Sequence, residues 1–178
     1  KRRGATVYGT CSPSKMDYVR EQGVDVTINY REVDFYKKIK EIRGDKGLDV
    51  VFDSLGGKEF AKGAKLLARG GKIVGFGNAS RTDSWSNIFG DLGTLFGFGF
   101  WSAAFLLVES RGILGVNMLR IADHKPQILK HCLEQVVQHA EAGEFKPVVG
   151  KTFGPGQLAE AHAFMEQRKS VGKIVVEW

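Results

Sequence analysis

Cysteine is scarce in this chain: Cys11 and Cys132 are the only two. Two thiols cannot build a disulfide framework or a zinc finger, and they fit a reducing compartment, so a cytoplasmic setting is expected. The four histidines (His124, His131, His139 and His162) form no HExxH pair and no ligand spacing with either cysteine. No GxSxG elbow, no phosphate-binding P-loop and no GxGxxG motif occurs, which removes three familiar routes to hydrolase, nucleotidase or dinucleotide assignments. No charged and apolar leader precedes a small-residue cleavage site, and residue 1 is Lys, so the chain is expected to be a piece of something longer.

What is present is ordinary for a globular protein. The 178 residues carry 43% apolar and 26% charged residues, a length that points to one domain or one and a part. A chain of this size buries roughly 70% of its unfolded surface and needs no staple to hold a core. Lys and Arg exceed Asp and Glu by 26 to 20, a formal charge of +6. The excess is scattered, with Lys37, Lys38, Lys40 and Arg43 beside acids on one amphipathic stretch, so it reads as a solvated face and no nucleic-acid partner is expected.

The first 77 residues repeat a short β-branched run, an amphipathic stretch and a glycine. The runs 5–9, 24–28, 48–53 and 72–76 are expected strands, and residues such as Val50, Val51 and Phe52 read as buried on both faces. Between them Phe35, Ile39 and Ile42, then Phe60, Ala64, Leu67 and Ala68, follow helical spacing, with Gly23, Gly44 and Gly70 as helix stops. Alternating strands and helices with buried strands predict an α/β fold with a doubly wound parallel sheet of the Rossmann type. Residues 112–116 add a further strand. Asp123 is the expected N-cap, with Pro126 in the first turn, of a helix to about Ala142, whose stripe of Ile128, Leu129, Cys132, Leu133, Val136, Val137 and Ala140 is expected in the core. A strand over 147–153, a helix over 158–168 and a strand over 173–177 close the chain. Residues 88–108 are long and apolar enough to span a bilayer, but four glycines, Asp91, Thr94 and Ser102 favour a buried or interface segment.

In an open α/β sheet, ligands bind beyond the carboxyl ends of the strands. After the first strand comes GTCSPSK (residues 9–15), with no acid to accept a ribose 2′-hydroxyl. Ser12 and Lys15 instead suit a 2′-phosphate, one by a hydrogen bond and the other by charge. A helix N-cap and a surface lysine are the plainer alternative. Tyr30 follows the second strand, and could pack on adenine, bond a phosphate or cover the sheet edge. DSLGG (53–57) follows the third strand and GFGN (75–78) the fourth, where glycines either admit a ligand or simply make turns.

The runs GTCSPSK, INYREVDF, GLDVVFDSLGG, LLARGGKIVGFGNAS and EQRKSVGKIVVEW resemble the quinone oxidoreductase branch of the medium-chain dehydrogenase/reductase family. The combination is most similar to the synaptic-vesicle membrane protein (vesicle amine transport protein) homologues. The resemblance implies a zinc-independent, NADPH-dependent oxidoreductase with a Rossmann domain and a GroES-like catalytic domain, working commonly as a homodimer. It assigns residues 1–142 to an NADP-binding Rossmann domain lacking its first strand and glycine motif, and 143–178 to a returning segment of the catalytic domain. The chain alone is then expected to be inactive. By the same resemblance Ser12, Lys15, Tyr30 and Arg168 lie at the 2′-phosphate end of NADPH. Leu55, Phe76, Gly77 and Asn78 lie toward the nicotinamide, and Asn117 joins them. No matched residue is a proton donor, so hydride passes directly to a small quinone or enone and positioning carries the catalysis. Two further readings stand beside this one: an NADP-binding module with little turnover and peripheral membrane association, and a zinc-containing alcohol dehydrogenase.

Overall fold

The computed structural model describes residues 1–78, 97–167 and 170–178. The chain divides into two compact units, one of Lys1–Thr27 with Lys125–Trp178 and one of Ile28–His124.

The second unit contains the larger sheet. Here β3 (Leu48–Asp53), β4 (Leu67–Gly75) and β5 (Gly112–Gly115) lie side by side in that order, and both pairings are parallel. Parallel neighbours need a crossover, and α3 (Gly57–Lys65) supplies it between β3 and β4. Phe60 and Ala64 on α3 pack with Leu67 and Ile73 of β4 into a core that Val51, Phe98, Trp101 and Ile113 complete. Phe60 and Phe98 meet as tilted rings 5.2 Å apart, and Trp101 donates its indole N–H to the Phe98 carbonyl at 2.8 Å. The unit also holds α2 (Phe35–Arg43), α4 (Ala103–Glu109) and α5 (Met118–His124). Ser102 caps α4 by accepting the Phe105 N–H.

In the first unit, β1 (Tyr8–Cys11) runs through a single turn over Pro13–Lys15 into α1 (Met16–Glu21). β1 pairs with β2 (Val26–Asn29), the strand along which the chain passes from the first unit to the second. The long helix α6 (Pro126–Glu141) is followed by Gly143, whose N–H reaches the Ala140 carbonyl at 2.9 Å. Then β6 (Val149–Phe153), α7 (Leu158–Glu166) and β7 (Lys173–Val176) follow, with β6 and β7 parallel. Lys151 lays its ammonium over the rings of Phe153 and Phe164, at 4.7 and 4.9 Å.

The α/β architecture with parallel pairing is the one the sequence predicts, and several details are corrected. β1 and β2 begin two to three residues later than the β-branched runs. Leu67 and Ala68 belong to β4, not to the preceding helix: α3 stops at Lys65, and Gly70, at φ +83°, lies inside the strand. Asp123 is within α5, and Lys125 occupies the N-cap position of α6 without a side-chain bond, with Pro126 in the first turn, where a missing N–H costs nothing. The stripe of α6 forms but is not core: Ile128, Leu133, Val136 and Val137 are about half exposed. Nor is β3 covered on both faces. Its residues alternate, so Val51 and Asp53 face inward while Val50 and Phe52 are exposed, Phe52 by 73%. Of the segment 88–108, residues 88–96 lie outside the described residues. Among those described, no helix is long and apolar enough to cross a membrane.

Candidate functional site

The carboxyl ends of β3, β4 and β5 form one row, with Asp53 beside Gly75 and Gly75 beside Gly115. Parallel pairing thus brings the residues that follow each strand to the same end of one sheet. Leu55 leaves β3, Phe76, Gly77 and Asn78 leave β4, and Asn117 leaves β5. Leu55 and Phe76 are each nearly half exposed, so two apolar side chains stand open at that end.

Two glycines set how closely these exits pack. Gly56 adopts φ +78°, and a Cβ there would come within 2.6 Å of the Asn78 side-chain oxygen and 2.8 Å of the Phe98 ring. A Cβ on Gly77 would lie 2.8 Å from the Ser54 carbonyl oxygen. The Phe76 N–H donates to the Asp53 carbonyl at 2.9 Å, and the Val116 N–H to that of Gly75 at 2.8 Å. The Asp53 carboxylate is buried and accepts the Gly56 N–H at 2.7 Å. Burial pushes this carboxyl above its ordinary value, the backbone N–H groups of Gly56 and Leu55 pull it back, and the charge of Glu59 adds to the rise. The sequence reading named Leu55 and Phe76 and gave Asp53 no role, although an acid directly after Val50, Val51 and Phe52, at the end of the strand, was the available signal.

Asn117 has a local task. Its side-chain oxygen accepts the Arg120 N–H at 3.2 Å and its carbonyl the Ile121 N–H at 3.0 Å, so it caps α5. Asn117 is itself exposed.

Ser12 and Lys15 stand in the first unit, directly after β1. Ser12 occupies the N-cap position of the single turn, yet its side chain makes no capping bond. The hydroxyl is buried and lies 3.3 Å from that of Ser14. The plain reading of Ser12 as a side-chain cap is therefore corrected, because the turn closes through the backbone, Lys15 N–H to Ser12 carbonyl at 3.0 Å. Tyr30 follows β2 and is about half exposed. Beside it the buried Asn29 makes the turn, accepting the Arg31 N–H on its side chain at 3.1 Å. Arg168 lies outside the described residues.

In the second unit, the open apolar groups and backbone amides at the ends of β3, β4 and β5 suit the nicotinamide half of a dinucleotide; in the first, the hydroxyl and lysine after β1 suit a phosphate. A zinc ion is different. Among the described residues no three His, Cys, Asp or Glu side chains converge, Cys11 is buried within β1 and Cys132 is exposed on α6.

Comparison with known proteins agrees with the fold. A family model described as zinc-binding dehydrogenase matches residues 22–176. The synaptic vesicle membrane protein VAT-1 homolog of Mus musculus is 31% identical over 172 residues, 96% of this chain and 42% of that protein. The 2-haloacrylate reductase of a Burkholderia species is 32% identical, over 97% of this chain and 48% of the relative. The crystal structure of the JamJ enoyl reductase superposes with a TM-score of 0.75 at 27% identity, covering 97% of this chain and 47% of that one. The chain thus spans less than half the length of these relatives. With a family model matched across most of its residues and a superposable parallel sheet, the chain belongs to the zinc-binding dehydrogenase family, within the medium-chain dehydrogenases and reductases.

Proposed function

We propose that this chain is the cofactor-binding part of an NADPH-dependent, zinc-independent oxidoreductase that reduces a small quinone or enone. The observation that carries the reading is the acid-free turn after β1, where Ser12 keeps its hydroxyl out of the helix cap and Lys15 follows. A carboxylate there would select a free 2′-hydroxyl, whereas a hydroxyl and an ammonium favour a 2′-phosphate. Tyr30 and Arg168 are assigned to the same end. Leu55, Phe76, Gly77, Asn78 and Asn117 are assigned to the nicotinamide half, where apolar side chains orient the ring and backbone amides meet its carboxamide. The bound cofactor would supply the hydride, so these residues need only position it and exclude water. The names of two relatives, a 2-haloacrylate reductase and an enoyl reductase, support an acceptor with a double bond conjugated to a carbonyl. Zinc independence rests on the closing motif resembling the zinc-free branch. A homodimer in the cytoplasm completes the proposal.

Titration of the protein with NADPH and NADH tests it. NADPH is expected to bind at least tenfold more tightly, and Lys15→Ala to erase most of that preference, about 1–3 kcal/mol for a charge-assisted contact. Tighter binding of NADH, or no binding of either, overturns the reading. Arg168→Ala is expected to weaken NADPH selectively in the same assay.

A second reading, an NADP-binding module seated on a membrane, draws on α4, where Leu107 is 80% and Val108 72% exposed. Flotation with liposomes separates the two. Co-flotation that Leu107→Ser with Val108→Ser abolishes would favour the membrane module.

A further inference from the structure

We propose that Asp53 is a positioning residue for the nicotinamide end, fastening to one another the two strand exits that carry Leu55 and Phe76. The assignment rests on the cofactor reading above and extends it to a residue that touches no cofactor.

Asp53 is the last residue of β3 and engages both exits at once. Its side chain accepts the Gly56 N–H at 2.7 Å in a buried setting, which fixes the turn holding Leu55. Its carbonyl accepts the Phe76 N–H at 2.9 Å, which fixes the chain leaving β4. The two exits then touch on either side of this residue. Gly56 faces Asn78, where a Cβ would approach to 2.6 Å, and Gly77 faces Ser54, where it would approach to 2.8 Å. With no room for a methyl group at either contact, a shift of one exit must move the other.

A buried carboxylate is a costly way to hold a turn, and its raised affinity for a proton records that cost. An amide oxygen could accept the same Gly56 N–H, so the requirement is for an acceptor at this place and not for a charge. Loss of the acceptor leaves the Gly56 N–H buried without a partner and loosens the turn that holds Leu55, while the main-chain bond from Phe76 to the residue 53 carbonyl remains. The phosphate end of the cofactor, assigned to Ser12 and Lys15 on another strand, should not respond.

The test compares two ligands in the whole protein: NADPH, which uses both ends, and 2′,5′-ADP, which carries the 2′-phosphate without the nicotinamide. Asp53→Ala is expected to weaken NADPH at least tenfold while changing 2′,5′-ADP less than twofold, and Asp53→Asn to restore NADPH to within about threefold of wild type. Gly77→Ala, which loosens the same joint with the carboxylate intact, is expected to show the same selective loss. Equal weakening of both ligands, an unchanged NADPH affinity in Asp53→Ala and Gly77→Ala, or an Asn variant as weak as the Ala variant overturns the assignment. Wild-type protein that binds neither ligand overturns the cofactor reading itself, a result distinct from all of these.

Discussion

Asp34 stands before α2, where its carboxylate accepts the backbone N–H groups of Tyr36 at 2.9 Å and Lys37 at 3.2 Å and meets the Lys62 ammonium at 2.9 Å. The Lys62 hydrogen bond is the main cause that holds this carboxyl below its ordinary value. Two of the four free N–H groups of the helix end are satisfied by one side chain. Asp34→Ala is expected to lower stability by about 1 kcal/mol, and Asp34→Asn by less because it keeps the cap, read from urea denaturation midpoints. At the strand ends, Leu55, Phe76, Gly77 and Asn78 were legible because they follow apolar runs, and the structure sets them together. Asn117 was legible as a strand-end residue but not as a cap, since α5 was not expected to begin there. Gly56 needs its positive φ as well as its lack of a side chain. Gly56→Ala is therefore expected to cost more than the ~1 kcal/mol of an ordinary glycine substitution, and to weaken NADPH binding in parallel.

Among the elements, β4 is the one on which the second unit depends. Ile73 is fully buried and packs with Phe60, Ala64 and Leu67, while its strand pairs on both sides. Ile73→Ala is expected to cost about 2–5 kcal/mol by the same denaturation measurement, the range for emptying a packed core site. Periodicity identified this strand but not its start. Leu67 and Ala68 continue the spacing of Phe60 and Ala64, and only pairing with Leu48 draws them into the sheet. The helix α6 shows the opposite case. Its pattern, with Pro126 at the start, was sufficient to form sixteen residues of helix, whereas the pattern carries no information about what its stripe meets.

Across the whole molecule the buried and paired carboxylates give stability a pH dependence of two signs. Asp25, bonded by Lys1 and the Val7 N–H, and Asp34 both titrate below the ordinary 3.8. Their contribution is complete above that value and is lost as pH falls through their lower folded values. Asp53 titrates above 3.8, so its contribution is present in acid and is lost as pH rises through its folded value. Lys62, raised above 10.5 by Asp34, contributes below that value and ceases to do so in stronger alkali. Wild-type protein is expected to gain stability relative to Asp53→Asn as pH falls from 7 toward 4 and to keep that gain unchanged below 3.8, where both proteins lose stability alike as Asp25 and Asp34 take up protons. Urea midpoints from pH 7 to below 3.8 check the rise and the plateau, and an identical profile for the two proteins would refute the raised titration of Asp53.

The sequence by itself determined the alternation of strand and helix, the α/β class and which residues follow the strands. Those depend on local periodicity and on turn residues. Only the tertiary structure decided that Phe52 and the α6 stripe lie open, that Gly70 enters a strand, and that Asp53 ties the exits of β3 and β4. Each of those outcomes depends on which segment, distant along the chain, arrives to cover a side chain or to offer a hydrogen-bond partner.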